Sequence, residues 1–156
     1  MKINFTKKQF KKLLKVIHLG DWMINSNNLP DKMDKECEYL MSYILSFTKQ
    51  FGLEDYASTL NLDEDGEKIY PSRKLEKEIE DYIEDYNNEN FWDELIRRMA
   101  KKDFRKKFTE KEFEEMDAEE IFNEITRIEQ EYGNEFYESG IDNLEIVSEK
   151  QKRNKS

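Results

Sequence analysis

Histidine occurs once in this 156-residue chain, at His18, and cysteine once, at Cys37. A nucleophile with its base, or a metal site of the usual nitrogen and sulfur donors, needs several such groups at matched spacing. His18 sits beside Leu19 and Gly20, in what reads as the last turn of a first helix, where a protonated imidazole would suit the helix dipole. Cys37 falls in an apolar stripe and is expected to act as a small buried hydrophobe. A di-iron or di-manganese bundle needs Glu-x-x-His on two helices, which one histidine cannot supply. No catalytic residue, cofactor or bound metal is therefore expected, and the chain reads as a binding protein rather than an enzyme.

Carboxylates are abundant, with 36 Asp and Glu against 26 Lys and Arg, a formal net charge of −10. Glu76, Glu80 and Glu84 repeat every four residues, and so do Asp81 and Asp85. On a helix these are like-charge rows, which form a solvated face or a surface for a basic partner. The run Asn61-Leu62-Asp63-Glu64-Asp65-Gly66 resembles the first half of an EF-hand calcium loop. The resemblance fails beyond six residues, because Ser72 stands where the bidentate twelfth-position Glu belongs and Pro71 precedes it. An acidic turn is the reading it leaves.

Positive charge is concentrated in two places. Residues 1–20 carry six lysines and no acid, and Lys7, Lys8, Lys11, Lys12 and Lys15 line one helical face. Those near the helix start oppose its dipole, so acidic neighbours are expected to compensate. Within 97–107, Arg97, Lys101 and Arg105 form one row at i+4 spacing, and Arg98, Lys102 and Lys106 the next. Phosphate or an acidic partner could use such a patch, but no zinc finger, helix-turn-helix turn or RNA-binding aromatic motif accompanies it. The overall negative charge also opposes a polyanion.

The elements that must position these groups are helical. Five glycines and two prolines are too few breakers for a many-stranded fold, and 13% aromatic residues offset a modest apolar content of 37%. Thr6 with Gln9 has capping-box spacing, and Phe5 with Phe10 that of a hydrophobic staple, so a first helix starts at Thr6 and stops at Gly20. From Cys37 to Phe47 the only polar residues are Glu38, Ser42 and Ser46, one narrow stripe on an otherwise apolar helix. That predicts a central, enclosed helix running from Pro30 to Phe51. Residues 53–71 read equally as a short hairpin or a loop, with Asp65-Gly66 as the turn signal.

Ser72 caps a helix with Leu75, Ile79, Tyr82, Ile83 and Tyr86 inward; Asn87-Asn88 ends it, and Asn90 opens another, making an antiparallel hairpin. Thr109 with Glu112, and Asp117 with Glu120, repeat the capping box. The last helix carries Ile121, Phe122, Ile125, Ile128 and Tyr132, its end is bounded by Gly133 and Gly140, and Ile141–Val147 reads as an extended segment. The fold class expected is all-α, a single-domain bundle of about five helices over 1–147 with a mobile polar tail at 148–156.

No span of about 18 uncharged apolar residues and no signal-peptide-like run is found, and a lone cysteine suits a reducing compartment, so a cytoplasmic protein without a membrane partner is expected. The function expected is binding of another protein, as an inhibitor, immunity-type or antitoxin-like factor does, through acidic faces at 76–85 (Glu76, Glu80, Asp81, Glu84, Asp85) and 110–131. The alternative is nucleic-acid binding through 7–15 and through Arg97, Arg98, Lys101, Lys102 and Arg105.

Overall fold

The computed structural model describes residues 3–62 and 66–145. It is mostly helical, with five α-helices and a small two-stranded sheet, as the composition predicts. In chain order these are α1 (Lys7–Asn25), α2 (Lys35–Leu45), β1 (Ala57–Leu62), β2 (Gly66–Pro71), α3 (Arg73–Lys107), α4 (Glu110–Glu115) and α5 (Ala118–Ser139). Short 3-10 turns fall at Pro30–Lys32, Thr48–Phe51 and Glu54–Tyr56. The chain divides into two compact units, Met1–Tyr86 and Asn87–Ser156, with residues 73–86 of α3 in the first and 87–107 in the second.

The first unit starts as its sequence dictates. Thr6 Oγ1 accepts the Gln9 backbone N–H, the Gln9 side chain accepts the Thr6 N–H in return, and Phe5 lies 6.4 Å from Phe10. Gly20 does not stop the helix. A single glycine costs only about 1 kcal/mol inside a helix, and α1 continues until buried Asn25 bridges its end to the next element. Asn25 Nδ2 donates to Asp21 Oδ1 at 2.9 Å, and its Oδ1 accepts the Asp34 N–H at 2.7 Å. Asp34 then caps α2 by accepting from the backbone of Glu36 and Cys37.

α2 is shorter and less enclosed than the Pro30–Phe51 expectation. Its last carbonyls are taken by side-chain hydroxyls, Ser46 Oγ to Tyr43 O and Thr48 Oγ1 to Leu45 O, both at 2.7 Å, an alternative to helical hydrogen bonds that ends the element. Met41 and Leu45 are buried, but Tyr39, Leu40 and Tyr43 face solvent. The helix is apolar on more of its circumference than the unit covers. Phe10, Leu14, Met41, Leu45, Leu53, Tyr56 and Leu75 form the core, with Ile44, Phe47, Phe51 and Ile69 packed against it. Phe10 stacks on Phe51 with ring centroids 4.0 Å apart.

Of the two readings left open for 53–71, the hairpin is the one formed. β1 and β2 pair antiparallel from Ala57↔Pro71 to Leu62↔Gly66. The EF-hand-like run's three carboxylates, at 63–65, lie outside the described residues. Ser72 opens α3, accepting the Leu75 N–H at 3.4 Å.

The antiparallel hairpin expected after Asn87-Asn88 is replaced by one continuous helix. No glycine or proline occurs between Arg73 and Lys107 to reverse the chain, and asparagine costs a helix only about 0.7 kcal/mol relative to alanine. Asn88 Oδ1 also accepts the Trp92 indole N–H at 3.2 Å. In the second unit Ala100, Phe104 and Ile128 are buried, with Phe108, Met116, Ile121, Ile125 and Tyr132 around them. Both predicted capping boxes form, at Thr109 with Glu112 and Asp117 with Glu120. α5 passes through Gly133 and ends only at Gly140, where φ is +56°. Residues 141–143 make a turn rather than the expected extended segment, and both 146–147 and the tail lie outside the described residues.

Candidate functional site

The first half of α3 sorts its carboxylates by face. Leu75 and Ile79 point into the core, and Glu78, three residues after Leu75, lies on the same side. Lys11 and Lys15 of α1 reach Glu78 Oε2 at 3.0 and 2.8 Å, and the Tyr56 hydroxyl donates to its other oxygen. Burial would push the Glu78 carboxyl up, but hydrogen bonds from Lys15, Tyr56 and Lys11 together overcome it and hold the group at about 2. Lys11 also lies 5.1 Å from the Tyr56 ring centroid, and Lys74 lies 4.7 Å from it. Acidic compensation thus reaches Lys11 and Lys15 rather than the lysines of the first turn, where it is expected. Lys7 instead donates to the Gly52 carbonyl at 2.7 Å, while Lys8 and Lys12 are exposed.

Glu76, Glu80, Asp81, Glu84 and Asp85 behave differently. All five are exposed, and among the described residues none forms a salt bridge. The helix thus keeps one carboxylate for its own fold and presents five outward. Tyr82 and Tyr86 lie among them and are exposed as well, rather than inward as the periodicity suggests.

Three of these carboxylates line a groove of about 520 Å³ within the first unit. Its walls are His18 and Trp22 of α1 together with Arg73, Glu76, Lys77, Glu80 and Glu84 of α3; Ile83 supplies apolar surface above the buried Ile79. Trp22 meets Tyr86 edge-on at 6.4 Å. His18 lies mid-helix because α1 runs on to Asn25, so the helix-end role expected for it falls away. Burial lowers its pKa despite Glu76 and Asp21 nearby, and its buried Nδ1 has no hydrogen-bond partner among the described residues. This wall disfavours a charged imidazole.

Cys37 is half-buried in the first turn of α2, less enclosed than its place in the apolar stripe suggests. Desolvation, with Asp34 beside it, pushes the thiol up, the reverse of nucleophile activation. Among the described residues no group of three His, Cys, Asp or Glu side chains could hold a metal ion, and no helix is long and apolar enough to cross a membrane.

The basic patch is split in its pairing. Arg97 and Arg98 both bond Glu94, each at 2.8 Å, and hydrogen bonding to Arg98 lowers that carboxyl. Lys106 pairs with Asp103, and Lys107 with Glu124 at 2.6 Å. Lys101, Lys102 and Arg105 are exposed and without a salt bridge among the described residues. The acidic stretch 110–131 is likewise part-committed, because Glu124 takes Arg127 and Lys107 and is held at about 2 by them.

Three participants escape a reading by charge row: Glu78, Tyr56 and Trp22. Glu78 carries a signal, being a carboxylate inside the stripe Leu75, Ile79, Tyr82. Tyr56 is brought to Glu78, and Trp22 to the groove, only by the tertiary fold. No known protein family, curated protein or solved structure matches the chain.

Proposed function

We propose that the protein acts by binding another protein, a basic one, through the outward face of residues 76–85. The observation that supports this is the contrast in pairing. Five carboxylates stay exposed and without a salt bridge among the described residues, while Glu78, beside them, is saturated by three donors. Unpaired surface charge steers a complementary partner and speeds encounter. Tyr82 and Tyr86 add exposed aromatic area of the kind that anchors interfaces. An inhibitor, immunity-type or antitoxin-like factor works in this way.

Replacing all five carboxylates (E76Q/E80Q/D81N/E84Q/D85N) tests the reading. Wild-type protein on a resin should retain a basic protein from host extract that the folded variant releases, and the interaction should weaken as salt rises. Equal capture by both would end this reading. Nucleic-acid binding is the second reading, supported by the exposed Lys101, Lys102 and Arg105. Tight binding of labelled DNA or RNA that persists near about 150 mM salt would favour it.

A further inference from the structure

The groove beside the acidic face is more specific than the face itself. Its two ends differ in charge. Arg73 and Lys77 lie toward the start of α3, whereas Glu84 lies about 10 Å of helix rise beyond Lys77. Trp22 meets Tyr86, which places its indole at the far end, where Glu80 and Glu84 are the charged lining residues. Ile83 lies between these carboxylates in sequence and gives the groove apolar area, while Ile79, buried in the core, closes its base. Neither glutamate forms a salt bridge among the described residues. An aromatic wall, an apolar floor and two free carboxylates fit one chemistry. It is a long side chain with an apolar stem and a planar cationic head.

We propose that this groove receives an arginine side chain of the basic partner, its stem over Ile83 and its guanidinium between Trp22 and the carboxylates of Glu80 and Glu84. The assignment rests on the protein-binding reading above and names the chemistry of one contact within it. Arginine fits better than lysine because its guanidinium is more weakly hydrated, stacks on an indole and forks onto carboxylates. Burial disfavours the charged form of His18, and the cations of the lining, Arg73 and Lys77, lie toward the start of α3.

The test titrates the full-length protein with the peptide Gly-Gly-Arg-Gly-Gly and with its citrulline and lysine counterparts, following the Trp22 indole N–H in proton–nitrogen correlation spectra. The arginine peptide should move that signal saturably, the neutral citrulline peptide should not, and the lysine peptide should bind more weakly. E80Q/E84Q should lower the arginine affinity about tenfold, as expected for loss of charge-assisted hydrogen bonds. D81N/D85N, which changes the same net charge outside the groove, should lower it less than about threefold through long-range attraction alone. Equal response to arginine and citrulline, or equal loss in the two double variants, overturns the assignment. Capture of a basic protein that depends on the five carboxylates, with an unmoved Trp22 signal, would leave the wider reading standing and remove this one. Trp22 movement without carboxylate-dependent capture would do the opposite.

Discussion

Residues 73–86 and 87–107 form one continuous helix, yet the two stretches treat charge in opposite ways. In the first, a single carboxylate, Glu78, gathers Lys11, Lys15 and Tyr56 from other elements, and the remaining acids have no salt bridge among the described residues. In the second, Glu94 pairs with Arg97 and Arg98 and Asp103 with Lys106, all three or four residues away on the same helix. Of its salt bridges only Lys107–Glu124 reaches another element among the described residues. Long-range pairs fix how elements pack, because each holds two segments together. Local i, i+3 and i, i+4 pairs stabilise only the helix that carries them and mute its outward charge. The acidic stretch therefore keeps its field and the basic stretch loses part of its own.

The largest effect should come from the inward face of the acidic stretch. Leu75 is fully buried, so Leu75→Ala should cost on the order of 2–5 kcal/mol, while Tyr82→Ala on the outward face should stay within about 1 kcal/mol. Urea unfolding of both variants measures the gap. Similar losses would mean that the outward face is covered after all.

Glu78→Gln comes next. It leaves Lys11 and Lys15 without their carboxylate, at a cost of about 1–3 kcal/mol near neutral pH because the site is only partly buried. The pH signature separates this from a packing effect. A carboxyl near 2 in the fold and 4.5 when unfolded contributes stability that is complete above 4.5 and drains away as pH falls toward 2. Wild-type stability should therefore drop across that window and E78Q should drop less. Glu80→Gln, two residues along, should show neither change.

These differences mark where sequence suffices. Capping boxes at Thr6, Thr109 and Asp117 are legible because their partners lie three residues away, and all three form. The outward carboxylates are legible as rows for the same local reason. Helix ends at Gly20 and Asn87-Asn88 were misread, because a weak breaker is overruled once tertiary contacts or a run of good helix formers supply more than its small cost. Leu40 shows the converse limit. Its stripe is apolar, but which side of an apolar helix meets the core depends on what arrives from elsewhere in the chain. The groove is the extreme case, since His18 and Trp22 stand more than fifty residues from the glutamates they face.

His18 gives a smaller effect. Its pKa lies below 6.5 in the fold because burial disfavours the charged ring, so the unfolded chain takes up a proton first as pH falls. Stability should decline as pH drops below about 6.5 and level off once the folded ring also protonates. His18→Phe should remove that slope between pH 7 and 5, measured well above the Glu78 window. A slope unchanged in the variant would place its origin elsewhere.

The smallest structural change should carry the most informative change in binding. Glu94→Gln releases Arg97 and Arg98 from their only salt-bridge partner among the described residues. The pairs are exposed and local, so the melting curve should superimpose on that of the wild type. What changes is the outward charge. Freed arginines would join Lys101, Lys102 and Arg105 as cations able to meet phosphate. Each additional phosphate contact steepens the fall of log affinity with log salt by about 0.9. Weak DNA binding by the wild-type protein should therefore strengthen at low salt in E94Q, with a slope steeper by about 2. That outcome would show that local pairing is what mutes the basic stretch. If E94Q binds DNA no better than wild type, the field of the surrounding acidic surface is the stronger brake, and the contrast between the two halves of α3 lies in net charge rather than in pairing.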